Sequence, residues 1–270
     1  MAGSRARLKL EKLRRHLQEL GGACLAYSGG VDSAFLASVA AEVLGRNFLA
    51  VTAVSETYPE SERREAGRLA RSLGFRHRFI RTSELGIPGF STNPPDRCYH
   101  CKRELFGKLS RIARRAGFAV LLDGQNADDA ADYRPGARAA AELGVVSPLK
   151  AAGLGKDEIR ELSRERGLPT WKKPAQACLA SRFPYGESIT REKLSRVAAA
   201  EEFLRGLGLG QLRVRDHDKL ARIEVPAEDI ARLAGPKVRA RIVARLKKLG
   251  YAWVALDLQG YRTGSMNETL

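Results

Sequence analysis

The alternation of short apolar runs with helical stretches constrains the fold of this chain more than any other feature. Residues 23–27 form an apolar run typical of a buried strand, a glycine turn follows, and residues 31–44 have the pattern of a helix. A second apolar run covers 48–54, a polar-faced helix is predicted over 61–73, and residues 76–81 alternate like a third strand. Strands separated by helices of about 10–15 residues predict a parallel sheet that is covered on both faces.

The pattern changes after Pro174. Before it, further helices are predicted over 103–116 and 156–166. After it, a helix over 191–207 precedes two adjacent strand-like runs, and a long helix over 227–249 leads to a last strand. Helices and strands are therefore arranged differently in the last third of the chain.

Length and composition set further limits. The 270 residues correspond to about two domains, and a hydrophobic content of 44% suffices for a buried core. We predict an α/β fold with a doubly wound parallel sheet in residues 1–175 and a smaller C-terminal α+β domain in residues 176–270. No apolar run approaches the roughly 18 residues of a membrane span, and the N-terminus does not read as a secretory signal. We therefore expect a cytoplasmic protein without a membrane partner.

The charge is strongly positive. Forty-seven Lys and Arg residues against 31 Asp and Glu give a net charge of +16, which first favours nucleic acid or another polyanion as a partner. A generally basic surface produces the same excess, so charge alone does not identify a partner.

The glycine turn has the features of an anion site. It reads SGGVDS over residues 28–33, between a predicted strand and a predicted helix. Glycines permit close approach of the backbone, amide groups at a helix start point towards a ligand, and the helix dipole favours negative charge. The two commoner phosphate loops, GxxxxGK[ST] and GxGxxG, are absent, and without the lysine of the first we expect no γ-phosphoryl transfer. A glycine turn capped by serine is the plain structural alternative.

Two neighbouring acids follow the strand predicted at 118–122. Asp128 and Asp129 end the segment GQNADD, at the carboxyl end of a strand, where open α/β sheets bind ligands. Magnesium that bridges phosphates takes one or two carboxylates from a protein. Both acids are therefore candidate Mg²⁺ ligands, and a helix cap with two solvated acids is the alternative.

The four cysteines suggest metal or sulfur chemistry rather than disulfides. Cys98 and Cys101 form a CxxC, which can grip one metal centre, and Cys178 from a distant loop can complete a set of three ligands. Zinc with His100 as a fourth ligand is an alternative, although a side chain inside a CxxC normally points away from the shared metal. Cys24 lies in an apolar run, and we expect it to be buried and inert.

Several segments resemble known sequences. SGGVDS resembles the signature of the PP-loop ATP pyrophosphatases, and GQNADD resembles the GxNxDD element of the same superfamily. Together with PAQACLASRFPYGESIT at 174–190, DGQNADDAADYRPG at 123–136 and RVRDHDKLARIEV at 213–225, they resemble the LarE family. Its members are ATP-dependent sulfur transferases that build the nickel-pincer nucleotide cofactor used by lactate racemase. The likeness covers nearly the whole chain.

The resemblance implies a reaction and a set of residue roles. A carboxylate of pyridinium-3,5-biscarboxylate mononucleotide is adenylated by ATP, and sulfur then replaces the activated oxygen. Cys178 and Asp32 are the expected catalytic residues, and the C-terminal domain is expected to handle sulfur and substrate. The residues expected to hold ATP are Ser28, Gly29, Gly30, Asp32, Ser33, Gly124 and Asn126.

Three arginines are candidates for binding the anionic substrate. Arg182 lies four residues after Cys178, where it would lower the thiol pKa or hold an anion. Arg213 and Arg215 alternate along one predicted strand, which suits a bidentate grip on a phosphate. A solvated strand face is the alternative for the last two.

The CxxC bears on where the sulfur comes from. LarE-like proteins have two forms, one in which a lone cysteine gives up its own sulfur and one in which three cysteines resemble ligands of a [4Fe–4S] cluster. Cys98, Cys101 and Cys178 fit the second form, so we expect a [4Fe–4S] cluster beside ATP and Mg²⁺.

Three other functions remain open on the sequence alone. A tRNA thiolation enzyme also joins a PP-loop to three cysteines and suits the positive charge, although the chain has no additional CxxC module. An ammonia-dependent synthetase of the GMP or NAD type shares the loop, and a non-catalytic nucleotide-binding module is the simplest alternative. We expect a small nucleotide substrate, a sulfur donor and a homo-oligomer as partners, and no nucleic acid.

Overall fold

The computed structural model describes residues 3–131, 135–174, 177–262, 264, 265 and 268, with the side chains of residues 130 and 131 excepted. The chain divides into two compact units. The first comprises Met1–Ser83 and Asp96–Gln176, and the second comprises Glu84–Pro95 and Ala177–Leu270. The segment Glu84–Pro95 thus packs with the second unit, although it falls within the predicted first domain of residues 1–175.

The first unit contains a parallel sheet of four strands. Its strands are β1 (Ala23–Ala26), β2 (Phe48–Val54), β3 (His77–Arg81) and β4 (Leu121–Leu122), in the order β3-β2-β1-β4. Its helices are α1 (Ser4–Leu20), α2 (Val31–Leu44), α3 (Glu60–Ser72), α4 (Arg97–Arg115), α5 (Pro135–Glu142), α6 (Pro148–Ala151) and α7 (Lys156–Glu165).

Both faces of this sheet are buried. Leu25 of β1 points into one apolar cluster with side chains of α1, α2 and α7, while its neighbour Cys24 points into another cluster with side chains of α4. Successive side chains of a strand point to opposite faces, so the two clusters lie on the two sides of the sheet. The predicted doubly wound parallel sheet is confirmed, as is the burial of Cys24, whose thiol pKa is raised to about 12 by burial.

The second unit contains a three-stranded mixed sheet. Its strands β5 (Arg213–His217) and β6 (Leu220–Glu224) are antiparallel, and β7 (Trp253–Leu256) pairs in parallel with β6. Its helices are α8 (Arg191–Gly206), α9 (Ala227–Ala234) and α10 (Pro236–Lys248). These helices and the inner face of the sheet share one apolar cluster, as expected for a small α+β domain.

The single helix predicted over 227–249 is wrong. The chain is extended at Gly235, with φ −56° and ψ 137°, and α10 starts at Pro236. Proline lacks the amide hydrogen and forces the preceding residue out of the helical region, which explains the break. No helix in the described part of the chain is long and apolar enough to cross a membrane.

His77 contributes a pH-dependent part of the stability of the first unit. Its Nε2 lies 2.9 Å from Oγ1 of Thr52, and the rings of Tyr27, Phe75 and Phe79 contact it edge-on. Burial, assisted by nearby Arg71, lowers the pKa of His77 from 6.5 to about 4. The folded protein therefore holds this imidazole neutral.

We expect this imidazole to weaken the fold in acid by up to about 2 kcal/mol between about pH 8 and about pH 5, because only the unfolded chain binds the proton readily. The stabilisation that comes from the neutral imidazole is complete above pH 6.5 and is lost as the pH falls towards 4. Urea unfolding of wild type and His77→Gln at both pH values measures it. If both proteins lose stability equally, His77 is not the cause.

Candidate functional site

The glycine loop connects β1 to α2, as predicted. Gly29 has φ +73°, a left-handed conformation, and a Cβ added there would lie 2.9 Å from Cβ of Ala66 in α3. Any other residue at position 29 would be strained and would collide with α3. The loop therefore requires glycine for both its conformation and its close packing.

Serine side chains stabilise the loop from within. The hydroxyls of Ser28 and Ser33 lie 2.9 Å apart, and the amide of Gly30 donates to Oγ of Ser28 over 3.3 Å. Helix α2 begins immediately after Gly30, and no side chain in the described part of the chain caps it with a hydrogen bond. Its first amide groups and its dipole therefore suit an anion held by the loop.

Asp32 in the first turn of α2 contacts the second predicted segment. Its Oδ2 accepts a hydrogen bond of 3.1 Å from Nδ2 of Asn126, which is itself fully buried. Burial raises the pKa of Asp32, and the nearby carboxylate of Asp129 adds to this. A Cβ added to Gly124 would lie 3.2 Å from the amide nitrogen of Ser33. The structure thus brings the two predicted ATP-binding segments together.

The two neighbouring acids have different surroundings. Oδ2 of Asp128 accepts a hydrogen bond of 2.7 Å from the amide of Lys156, so this carboxylate caps the start of α7. Asp129 is 8% exposed; its Oδ2 accepts from the amide of Asn126, and its Oδ1 lies 3.4 Å from Nζ of Lys156. Sequence reasoning missed Lys156, whose only signal was its place at the start of a predicted helix.

The CxxC lies at the start of α4. This helix begins at Arg97, six residues earlier than the predicted start at residue 103. Residues three apart share one face of a helix, so Cys98 and Cys101 lie side by side. Cys98 is exposed and Cys101 is half-buried. His100 contacts Asp96, with Nε2 3.2 Å from Oδ2. Among the residues that the structure describes, no three His, Cys, Asp or Glu side chains are grouped so that they could hold a metal ion.

The aromatic residues near these motifs have partners of their own. The hydroxyl of Tyr99 donates to Glu142, and the guanidinium of Arg138 lies 4.1 Å from the centre of its ring. Lys172 lies over the ring of Trp171. Each of these contacts is of a kind found in ordinary side-chain packing.

In the second unit, Cys178 is exposed and precedes a 3₁₀ turn (Leu179–Arg182). The side chain of Arg182 is fully buried below this turn. Its Nη1 donates to the carbonyl oxygens of Ala177 and Cys178 and to Oγ of Ser181, over 2.8–3.0 Å. Arg182 therefore anchors the backbone of residues 177–182, which we call the cysteine turn.

Glu201 of α8 holds the other edge of this guanidinium. Its two carboxylate oxygens accept from Nε and Nη2 of Arg182 over 2.8 and 3.0 Å, and it also accepts from Arg205 and from the amide of Val214. Burial acts to raise the pKa of Glu201, but these partners outweigh it and hold the pKa below its usual value. The N–H donors of Arg182 thus contact acceptors of the protein itself. Its role in binding the anionic substrate stays a prediction.

We expect Glu201→Gln to destabilise the protein by about 3–5 kcal/mol, because it leaves the buried guanidinium of Arg182 without its counter-charge. Arg205→Gln is the matched control. Arg205 contacts the same carboxylate but is 29% exposed, so its loss should cost less than about 1 kcal/mol. Denaturant unfolding of both variants measures the difference, and equal losses would contradict the buried pair as the source.

Arg213 and Arg215 lie on one face of β5, opposite the core residue Val214. They are only 3% and 5% exposed, so the alternative of a solvated strand face is wrong. Arg215 donates to the carbonyl of Ser181, within the cysteine turn, and to Glu224. Burial and the neighbouring charge of Arg182 lower the pKa of Arg213 to about 10. These positive charges favour an anion nearby.

Comparison with known proteins agrees with this geometry. The Asparagine synthase family model matches residues 10–141, which include β1, the glycine loop and β4. A protein of Lactiplantibacillus plantarum, named pyridinium-3,5-bisthiocarboxylic acid mononucleotide synthase, is 40% identical over 94% of this chain and 92% of its own length. An uncharacterized protein of Synechocystis is 47% identical over 97% of this chain and 98% of its own length. The glutamine-hydrolyzing GMP synthase of Aeropyrum pernix is 30% identical over 68% of this chain and 39% of its own length.

The parallel sheet and its loop between β1 and α2 define a PP-loop enzyme that uses ATP. The similarity to the L. plantarum synthase extends through both units of the chain. The chain therefore belongs to the LarE family of ATP-dependent sulfurtransferases.

Proposed function

We propose that this enzyme adenylates a carboxylate of pyridinium-3,5-biscarboxylate mononucleotide and replaces one of its oxygens with sulfur, in nickel-pincer nucleotide biosynthesis. The observation that carries the proposal is the 40% identity, over both units, to a protein named for the bisthiocarboxylic acid product. The glycine loop and the exposed Cys178 supply the two chemical steps that this reaction needs.

In the first step a carboxylate oxygen attacks the α-phosphorus of ATP, so an acyl adenylate forms and pyrophosphate leaves. The amides at the start of α2 and the loop around Gly29 and Gly30 hold the pyrophosphate portion. Asp32, Asn126 and Gly124 fix the neighbouring segment against this loop. Adenylation turns the carboxylate, a poor electrophile, into an acyl group with AMP as its leaving group.

Asp129 is the better candidate for Mg²⁺ of the two neighbouring acids. Asp128 caps α7, whereas the carboxylate of Asp129 is close enough to Asp32 to raise its pKa. When bound, Mg²⁺ would neutralise phosphate charge. Lys156, whose ammonium lies near Asp129, would add a second positive charge on the same side.

In the second step a sulfur nucleophile attacks the acyl carbon, a C–S bond forms, and the C–O bond to AMP breaks. Cys178 handles this sulfur, because its side chain is exposed while its backbone is anchored by Arg182. Arg213 and Arg215 hold the substrate phosphate beside the cysteine turn.

We propose that Cys98, Cys101 and Cys178 hold a [4Fe–4S] cluster, which would supply a transferable sulfide when bound. The shared face of Cys98 and Cys101 on α4 supports two of the three ligands. Anaerobic purification followed by iron and acid-labile sulfide analysis should give a cluster in the wild type and none in Cys98→Ala. Zinc, or three free thiols without metal, contradicts this proposal. In that case loss of H₂S from Cys178, seen by mass spectrometry, identifies the cysteine itself as the donor.

Incubation with ATP, Mg²⁺ and either the pyridinium dicarboxylate nucleotide or bulk tRNA tests the substrate. We expect AMP and a thiolated nucleotide in the first arm only, at a rate insensitive to salt. Thiolation of tRNA alone would contradict the proposal and favour the alternative, a tRNA thiolation enzyme. We also propose that the enzyme has a partner that reloads sulfur, forms a homo-oligomer and is located in the cytoplasm.

A further inference from the structure

The carbonyl oxygens of the glycine loop all meet hydrogen-bond donors. The carbonyl of Ser28 accepts from the hydroxyl of Tyr58 over 2.7 Å. The carbonyl of Gly29 lies 3.5 Å from Nζ of Lys173. The carbonyl of Gly30 accepts from Oγ of Ser33 over 3.2 Å and from the amide of Ala34 over 2.9 Å. Three successive carbonyls are therefore held by donors that belong to the protein.

This arrangement determines which side of the loop can meet an anion. In a trans peptide the carbonyl and the next amide hydrogen point in opposite directions. A carbonyl oxygen repels phosphate, whereas an amide hydrogen attracts it. The donor on the Ser28 carbonyl therefore leaves the amide of Gly29 directed away from that donor, and the donor on the Gly29 carbonyl does the same for the amide of Gly30, which contacts Oγ of Ser28.

Tyr58 is suited to this role because it remains a donor. Its hydroxyl lies on the Ser28 carbonyl, and its side chain is half-buried. Burial, followed by the nearby carboxylate of Glu62, raises the pKa of Tyr58 above the usual value for a phenol. The hydroxyl is therefore protonated throughout the physiological pH range.

Lys173 is held in place from two directions. Its side chain is 12% exposed, and its ammonium contacts Glu62 over 2.6 Å and Glu65 over 2.7 Å, both on α3. Its own carbonyl accepts a hydrogen bond of 3.0 Å from Arg160 of α7. The lysine thus links two helices of the first unit to the Gly29 carbonyl.

We propose that Tyr58 and Lys173 are positioning residues for the pyrophosphate-binding loop: they hold the Ser28 and Gly29 carbonyls away from the phosphates and so fix the peptide orientations on which anion binding by the loop depends. The inference rests on the proposed role of this loop in holding ATP. It needs neither the sulfur-transfer step nor the identity of the carboxylate substrate.

The test compares the binding of inorganic pyrophosphate and of AMP by calorimetry in the whole protein with Mg²⁺. Tyr58→Phe and Lys173→Met should each weaken pyrophosphate binding by about three- to tenfold, the effect of one lost hydrogen bond, and leave AMP binding within about twofold. Lys173→Arg should retain most of the pyrophosphate affinity. Lys172→Met is the matched control, because this neighbouring lysine lies over Trp171 and should bind both ligands like the wild type.

Lys173→Met leaves two carboxylates on α3 without their cation, so the double variant Lys173→Met/Glu62→Gln keeps the test valid if the single variant unfolds. Unchanged pyrophosphate binding in Tyr58→Phe and in the lysine variants overturns the proposal. An equal loss for pyrophosphate and AMP also overturns it, because general damage to the unit would affect both. Since the assay contains neither a carboxylate nor a sulfur donor, failure of the proposed sulfur transfer would leave its result unaffected.

Discussion

Replacement of Cys178 by alanine is expected to abolish the thiolated product while adenylation, measured as pyrophosphate release, continues. The predicted adenylation residues lie in the loop after β1, on α2 and in the segment after β4, all in the first unit, whereas the exposed Cys178 lies in the second. Removing a nucleophile without disturbing the leaving-group chemistry should lower sulfur transfer by at least about a thousandfold. Single-turnover assays that follow pyrophosphate and thiolated nucleotide separately measure the two steps.

Cys24→Ala is the control for this variant. Cys24 is buried in β1, and burial raises its thiol pKa to about 12, so it has no part in either step. We expect this variant to make both products at close to the wild-type rate. If Cys178→Ala still thiolates the substrate, the sulfur-handling residue is misassigned.

Replacement of Asp32 by asparagine should reduce AMP formation by about 10²- to 10³-fold. The variant keeps the size of the side chain but loses its charge, and an amide donor replaces one of the two acceptor oxygens, which weakens the contact with Nδ2 of Asn126. Both ATP-binding segments depend on this contact, so KM for ATP and kcat should both change. Steady-state assays of AMP formation measure the effect, and Asp157→Asn, an exposed acid in the first turn of α7, is the control.

The same residue should set an acid limit to the wild-type activity. Because burial raises the pKa of Asp32 above 3.8, the carboxylate takes up its proton at a higher pH than an exposed aspartate does. AMP formation should therefore fall in mild acid in the wild type, and the asparagine variant should lack this component. An identical acid limb in both proteins would contradict the role of Asp32.

The first unit was largely predictable because its signals are local. Helix α2 (Val31–Leu44) and strand β2 (Phe48–Val54) begin and end where the sequence predicts. Glycine, a change in periodicity and apolar runs act within a few residues, so they mark such ends well. The position of the glycine loop at the start of a helix follows from the same signals.

Features that depend on contacts between distant residues were not predictable. Nothing near Glu84–Pro95 indicates that it packs with the second unit, where Nδ2 of Asn93 donates to the carbonyls of Phe183 and Pro184. Likewise, the burial of Arg182 depends on Glu201 in another element. Lys173 was missed because its loop contact spans 144 positions of the chain.

The close contact between Gly29 and Ala66 joins two positions that are far apart in the sequence. Ala66 is almost fully buried and its Cβ faces the loop at Gly29, so a larger side chain at position 66 would require α3 to move away. Such a shift would carry along Glu62 and Glu65, which hold Lys173. Among natural variants, an enlarged residue 66 should therefore be tolerated only when compensating changes accompany it in α3, although no residue of this helix belongs to a recognised nucleotide motif.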